Sequence, residues 1–119
     1  MRVGMNIKRG DIFLAALDPV VGREIAKTRP VVVVSNNLNN KHSCTVTVLP
    51  ITSQKLDKVY PFEIILAKGS GNLPKESKVK ADQVRTLDKA RLIKRFGRLT
   101  VEQTTLLDKA ILIHLALPC

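Results

Sequence analysis

The chain has 119 residues, length for one domain with a real core, and 45% of them are hydrophobic. Lys and Arg number 20 against 10 Asp and Glu, and the resulting formal charge of +10 favours a polyanionic partner: nucleic acid, an anionic membrane surface or an acidic protein. No run approaches the length of a membrane span and the amino terminus, MRVGMNIKRG, lacks an apolar signal-peptide core, so the expectation is a cytoplasmic protein without membrane attachment.

The pattern predicts strands first and a helix last. Asp11 to Ala16 reads as a strand that stops at Leu17-Asp18-Pro19, where turn chemistry begins. A polar, flexible segment from Val21 to Thr28 then leads to Arg29-Pro30 and the run Val31 to Val34. Four consecutive β-branched residues bounded by proline and the polar NNLNN loop predict a strand buried on both faces, with Pro30 at its first position. Arg29, pushed toward extended backbone by the following proline, is then a cation held at the mouth of a rigid element.

Cys44 to Leu49 alternates as a further strand, and Phe62 to Leu66 follows after the basic loop ITSQKLDKVYP. Ser77 to Lys80, Gln83 to Thr86 and Lys94 to Leu99 complete the strands, with a helical turn around Asp88 to Leu92. Many short strands with turn signals between them predict a small barrel. Thr100 and Gln103 form a capping-box pattern, and Leu106, Leu107, Ala110, Ile111, His114 and Leu117 recur at three- and four-residue steps along one helix face, which Pro118 ends.

The chemistry available is narrow. His114 lies on the apolar stripe of the last helix, where a packed role is expected, and His42 lies in the NNKHS loop, where a solvated role is expected. No Asp/Glu cluster suggests a two-metal site, no Cys/His quartet suggests zinc, and no glycine-rich phosphate loop precedes a helix. Cys44 and Cys119 read as free thiols, the first as buried filler and the second as a loose tail. Arginine, hydroxyls and one carboxylate, Glu24, remain.

Six segments now stand in a particular order: Arg9-Gly10-Asp11-Ile12-Phe13; Leu17-Asp18-Pro19-Val20-Val21-Gly22 with Glu24; Arg29-Pro30 and its valines; Pro50-Ile51-Thr52-Ser53; Pro61-Phe62-Glu63; and Asp82-Gln83-Val84-Arg85-Thr86-Leu87-Asp88. In this order and spacing, from Lys8 to Leu117, the chain resembles MazF/PemK-type toxins of type II toxin–antitoxin systems. The resemblance implies one domain over residues 1–119, mainly β with α: an SH3-like small β-barrel with a C-terminal helix, of the plasmid-maintenance-toxin type. It also implies a homodimer that cuts single-stranded RNA without a metal or other cofactor, leaving 2′,3′-cyclic phosphate and 5′-hydroxyl ends, and an acidic, partly disordered cognate antitoxin.

By the same resemblance Arg29 and Thr52 are the catalytic pair. A guanidinium can fork onto phosphate oxygens and stabilise the extra charge of a pentacoordinate transition state, while a threonine hydroxyl orients the scissile group. Glu24, in the loop before Arg29, is the carboxylate candidate for general base. Lys27, Thr28, Ser53, Gln54, Lys55, Lys58, Tyr60, Gln83 and Arg85 are candidate RNA-binding residues; Lys78 and Lys80 are further cations placed to guide the backbone, and Phe62 is divided between stacking and core. Where the family commonly has a Gln- and Gly-rich loop, this chain has Ile25-Ala26-Lys27-Thr28, a stiffer and more cationic stretch. Two other readings stay open at this point, a same-fold toxin that poisons DNA gyrase through protein contacts and a non-catalytic RNA-binding barrel.

Overall fold

A computed structural model describes residues 6–118. Seven strands form one antiparallel sheet: β1 (Asp11–Ala16), β2 (Thr28–Val33), β3 (Thr45–Thr52), β4 (Glu63–Leu66), β5 (Ser77–Lys80), β6 (Arg85–Asp88) and β7 (Leu92–Arg98). They run in the order β4-β5-β3-β2-β1-β7, with β6 paired to the first half of β3. A short helix α1 (Asn37–His42) joins β2 to β3, and α2 (Val101–Leu115) closes the chain. The expected architecture, mainly β with a C-terminal helix, is the one observed.

The valine run explains why the sheet has cores on both sides. Val31, Val32 and Val33 are all buried completely. Because strand side chains alternate, Val32 joins Ile12, Leu49, Ile51 and Leu107 on the helix side, while Val31 and Val33 join Phe13, Val46, Val48 and Leu87 on the other. Each such valine contributes about 1.5–3 kcal/mol by leaving water.

Several boundaries differ from the sequence reading, each for a local reason. β2 starts at Thr28, so Pro30 is its third residue rather than its first; it sits opposite Leu14 of β1, and the ladder to β3 begins only at Val31, so the missing N–H removes no bond on that side. NNLNN is a helix, not a loop. Asn36 caps it by accepting from the Asn39 N–H at 2.8 Å, and the buried Asn40 donates to the Ser35 carbonyl at 2.8 Å and accepts from Lys89 Nζ through its own carbonyl at 2.6 Å. Asparagine is a poor helix former, so these tertiary bonds rather than propensity hold the turn. His42 is therefore exposed in the last turn of α1.

Cys44 precedes β3 and is exposed, not buried filler, while Cys119 lies outside the described residues. β3 runs on through the ITS segment to Thr52, which lengthens it beyond the predicted Leu49. Residues Ala81–Gln83 form a single 3-10 turn, so β6 begins at Arg85; β7 begins at Leu92, right after a second such turn.

Helix α2 has the expected capping box: Thr100 Oγ1 accepts from the Gln103 N–H at 3.1 Å, and Gln103 Oε1 accepts from the Thr100 N–H at 2.9 Å. The expected stripe, however, is mostly uncovered. Leu107 and Ala110 are buried and Ile111 is partly buried against the core, whereas Leu106 and Leu117 are each 51% exposed and His114 is exposed; Ile113, outside the expected stripe, is 53% exposed as well. The helix meets the sheet along a narrow line, which leaves an apolar face outward.

Buried charges hold the frame. Asp11, fully buried, accepts from Arg95 at 3.0 Å, from Arg98 at 3.0 Å and from the Lys8 N–H at 2.8 Å, and Arg9 bridges to Asp108 of α2 at 2.7 Å. The RGD segment is thus spent on joining strands to the helix.

Candidate active site

The β2–β3 ladder pairs Val33 with Val48, Val32 with Leu49 and Val31 with Pro50, and then stops. Continued two residues past its last pair, that register sets Arg29 against Thr52, although β2 and β3 are no longer paired there. There each strand keeps another ladder: Arg29 pairs with Ala15 of β1 on the far edge of β2, and Thr52 pairs with Lys78 of β5. The sheet therefore splits between them. Period-two alternation sends Arg29 and Thr52 to the face of Val31 and Pro50.

Arg29 is half-buried, and its Nε donates to the Ala26 carbonyl at 3.1 Å. That bond fixes the plane of the guanidinium, while neither terminal amino group has a protein acceptor among the described residues. A fork held from behind and open in front is suited to an anion. Thr52 is only 8% exposed, and its Oγ1 accepts from the Gln54 N–H at 3.1 Å. Its hydroxyl proton is left to donate outward.

Beside the split lies a cavity of about 530 Å³. Val31, Val48 and Pro50 form its floor, the β1–β2 loop with Leu17 and Glu24 one wall, and Asp82, Gln83 and Arg85 the other. Arg29 and Thr52 do not line it; they continue the strands that make its floor. The loop is closed by bonds between Leu17 N–H and the Lys27 carbonyl at 2.8 Å and between Lys27 N–H and Asp18 Oδ1 at 3.0 Å. Gln83 Oε1 accepts from the Ile25 N–H at 2.8 Å and so pins the loop over the cavity. Lys27 has φ 69°, a left-handed conformation that a lysine holds only because these bonds define it. Glu24 is exposed, and its Oε1 accepts from the Val21 N–H at 2.7 Å, leaving the other oxygen for further work.

The basic loop after Thr52 is anchored by the cations expected to guide RNA. Lys78 is 4% exposed and its Nζ donates to the carbonyls of Lys55 at 3.0 Å and Lys58 at 2.8 Å and to Glu63 Oε1 at 3.2 Å. Lys80 donates to Glu63 Oε2 at 2.7 Å. Neither is a free cation: both are consumed by a buried carboxylate, which corrects their expected role. Burial pushes the Glu63 carboxyl up, but hydrogen bonds from Lys80, the Tyr60 N–H and Lys78 outweigh it and leave it below the usual range.

On this anchored loop Tyr60 stacks on Phe62 with centroids 5.3 Å apart and planes within 3°, and Phe62 meets the His114 ring of α2 at 6.0 Å. Lys58 Nζ lies 5.1 Å from the Tyr60 ring centroid; hydrogen bonding to the phenol, with its charge attraction, raises the Lys58 pKa above 10.5. Phe62 is thus half-buried in a surface stack rather than in the core, and Tyr60 is 42% exposed. His114 is an exposed, tilted neighbour of the Phe62 ring rather than a packed residue.

Of the sequence candidates, the fold brings Glu24, Gln83 and Arg85 together around the cavity and sets Lys58 and Tyr60 on the anchored loop with exposed Gln54 and Lys55 and half-buried Ser53. Lys27 and Thr28 lie exposed at the start of β2. Asp82 was missed as a candidate. The signal was its place beside Gln83 in the DQVR segment, immediately after a strand.

A family model described as PemK-like, MazF-like toxin of type II toxin–antitoxin system matches residues 8–115. The endoribonuclease MazF9 of Mycobacterium tuberculosis is 36% identical over 116 residues, covering 93% of this chain and 98% of that protein. Among solved structures, the Mycobacterium tuberculosis toxin MazF-mt6 superposes with TM-score 0.78 at 28% identity, covering 92% of this chain and 99% of that one. A mycobacterial endoribonuclease solved in complex with its cognate antitoxin gives TM-score 0.79 at 23% identity, covering 95% and 98%.

Proposed function

The chain belongs to the PemK-like, MazF-like toxin family of type II toxin–antitoxin systems, and from that premise we propose how its endoribonuclease activity works. The protein cleaves single-stranded RNA at a short sequence by attack of a ribose 2′-hydroxyl on the adjacent phosphorus, leaving a 2′,3′-cyclic phosphate and a 5′-hydroxyl. Internal attack needs alignment, charge stabilisation and proton transfer, and no metal. Arg29 forks onto the non-bridging oxygens as charge builds on them. Thr52 donates to the same phosphate and holds it in line. Glu24 takes the 2′-hydroxyl proton as the O2′–P bond forms; the P–O5′ bond breaks, and the departing 5′-oxygen takes a proton from solvent.

The observation that carries this reading is the register of Arg29 opposite Thr52 at the place where β2 and β3 part. A phosphate lodged in the split meets a cationic fork on one side and a hydroxyl donor on the other. Lys27 and Thr28 at one lip, and Ser53, Gln54, Lys55, Lys58 and Tyr60 at the other, guide the flanking nucleotides, with Gln83 and Arg85 deeper in the cavity. Tyr60 supplies a π-face for one base.

The protein works in the cytoplasm as a homodimer that covers the apolar face of α2, and is neutralised by an antitoxin. The solved mycobacterial relative is in complex with its cognate antitoxin. Against a chain of formal charge +10, the complementary partner is an acidic segment that folds across the RNA groove. Incubation with a long transcript in excess chelator separates the readings. Discrete fragments support the ribonuclease mechanism; a mobility shift without cleavage means a binding module; trapped gyrase–DNA complexes with intact RNA mean a gyrase poison.

A further inference from the structure

Asp82 and Arg85 both line the cavity beside the split, and one side-chain atom of each, Asp82 Oδ1 and Arg85 Nη1, has no hydrogen-bond partner among the described residues. Leaving a buried polar group unmade costs about 1–3 kcal/mol, so a carboxylate and a guanidinium that are incompletely paired and line one cavity favour a ligand that engages both side chains. Their neighbours do not serve. Lys80 Nζ, at 3.8 Å, offsets the charge of Asp82 but lies beyond hydrogen-bond reach, and Arg85 Nη2 reaches the Pro19 carbonyl only at 3.5 Å. Gln83 and Glu24 each have one oxygen occupied in holding the loop.

The ligand must therefore present donors toward a carboxylate and an acceptor toward a guanidinium. It must also present apolar faces, because Leu17, Val31, Val48 and Pro50 supply the rest of the lining. A phosphate is excluded by Asp82. A flat heterocycle meets all three demands, and about 530 Å³ lies within the roughly 300–1,000 Å³ of small-ligand sites. Among RNA bases, guanine alone places two adjacent N–H donors, N1 and N2, beside an O6 acceptor.

We infer that this cavity takes one unstacked guanine of the RNA substrate, with Asp82 accepting from N1–H and N2–H and Arg85 donating to O6. The inference rests on the ribonuclease reading and deepens it: Arg29 and Thr52 act on the phosphate, whereas Asp82 and Arg85 choose the base next to it. The sugar–phosphate chain reaches from the split to the cavity along the shared face of β2 and β3.

The test starts from cleavage sites mapped on a long transcript in chelator, which should share one invariant guanine at a fixed offset from the cut. Replacing that guanine by inosine, which lacks the N2 amino group, should lower kcat/KM about tenfold or more, in line with losing part of a bidentate base contact. Binding of 2′-O-methyl oligonucleotides, which cannot be cut, should show the same preference for guanine over inosine. In Asp82→Asn that preference should fall toward unity, measured as Kd so that an inactive variant still reports. Fragmentation with no guanine at any fixed offset, or equal affinity for guanine and inosine, would overturn the inference and leave the nuclease standing. No fragmentation at all would remove both.

Discussion

Arg29 stands opposite Thr52 in the continued register of β2 and β3, yet each is hydrogen-bonded into a different pair of strands. The relationship makes a site out of a topological seam. The backbone of each is held by another ladder, Arg29 to β1 and Thr52 to β5, and the proposed mechanism places the scissile phosphate between the two side chains.

Replacing Arg29 tests the seam directly. Arg29→Ala should lower kcat by two or more orders of magnitude, about 3 kcal/mol, as for loss of a donor to a developing oxyanion. Arg29→Lys should restore little, because a point charge cannot reproduce the fork. Since Arg29 is half-buried with one hydrogen bond, the thermal midpoint should barely shift; near-normal turnover of the alanine variant would put the chemistry elsewhere.

Thr52→Ala should cost about tenfold to a hundredfold, the range of one positioned donor. Thr52→Ser keeps the hydroxyl and the bond from Gln54 N–H, so it should retain most of the rate. Serine and alanine behaving alike in single-turnover assays would remove the hydroxyl from the mechanism.

If Glu24 is the base, Glu24→Gln should lower kcat about a hundredfold or more while leaving KM within a fewfold. A variant that keeps the wild-type kcat would assign the proton to another group.

Glu63 links acid sensitivity to the anchoring of the loop after Thr52. Its carboxyl lies below its ordinary 4.5 in the folded state, so the stability it contributes is whole above that value and is lost as pH falls through the lowered one. Glu63→Ala should destabilise by about 3–5 kcal/mol at pH 7, because Lys78 is left buried without its counter-charge. The gap between wild type and Glu63→Gln in denaturant titrations should narrow as pH drops below 4.5. A gap independent of pH would mean that the ion pair contributes nothing.

The outward face of α2 carries the oligomer prediction. Leu106→Lys with Ile113→Lys should convert a homodimer to monomer by light scattering, since both residues are about half exposed with no cover in the single chain. An unchanged mass would move the interface to another surface.

Where the residue pattern is strong, it foretells the fold well. The Asp11–Ala16 strand, the double-sided burial of the valines and the Thr100–Gln103 capping box all follow from local chemistry that tertiary contacts reinforce. The misses lie where long-range contacts override it. The asparagines of α1 become helical through a cap and a buried network with Ser35 and Lys89, and Lys78 and Lys80 are paired with the buried Glu63, fifteen or more residues away in sequence. The RP and ITS segments are singled out by the sequence, but their nearness along the sheet depends on the β2–β3 register. Asp82 escaped notice because a single acidic residue beside a strand end has no pattern of its own; only the cavity singles it out.

The most direct test of the mechanism is the fate of one ribose. A defined RNA bearing the mapped site, incubated with the protein in excess EDTA, should yield fragments ending in 2′,3′-cyclic phosphate and 5′-hydroxyl, and a single 2′-deoxy substitution at the scissile nucleotide should stop cleavage. Loss of activity in EDTA with recovery in magnesium, 5′-phosphate ends, or cleavage of the 2′-deoxy substrate at the same bond would contradict internal attack guided by Arg29 and Thr52.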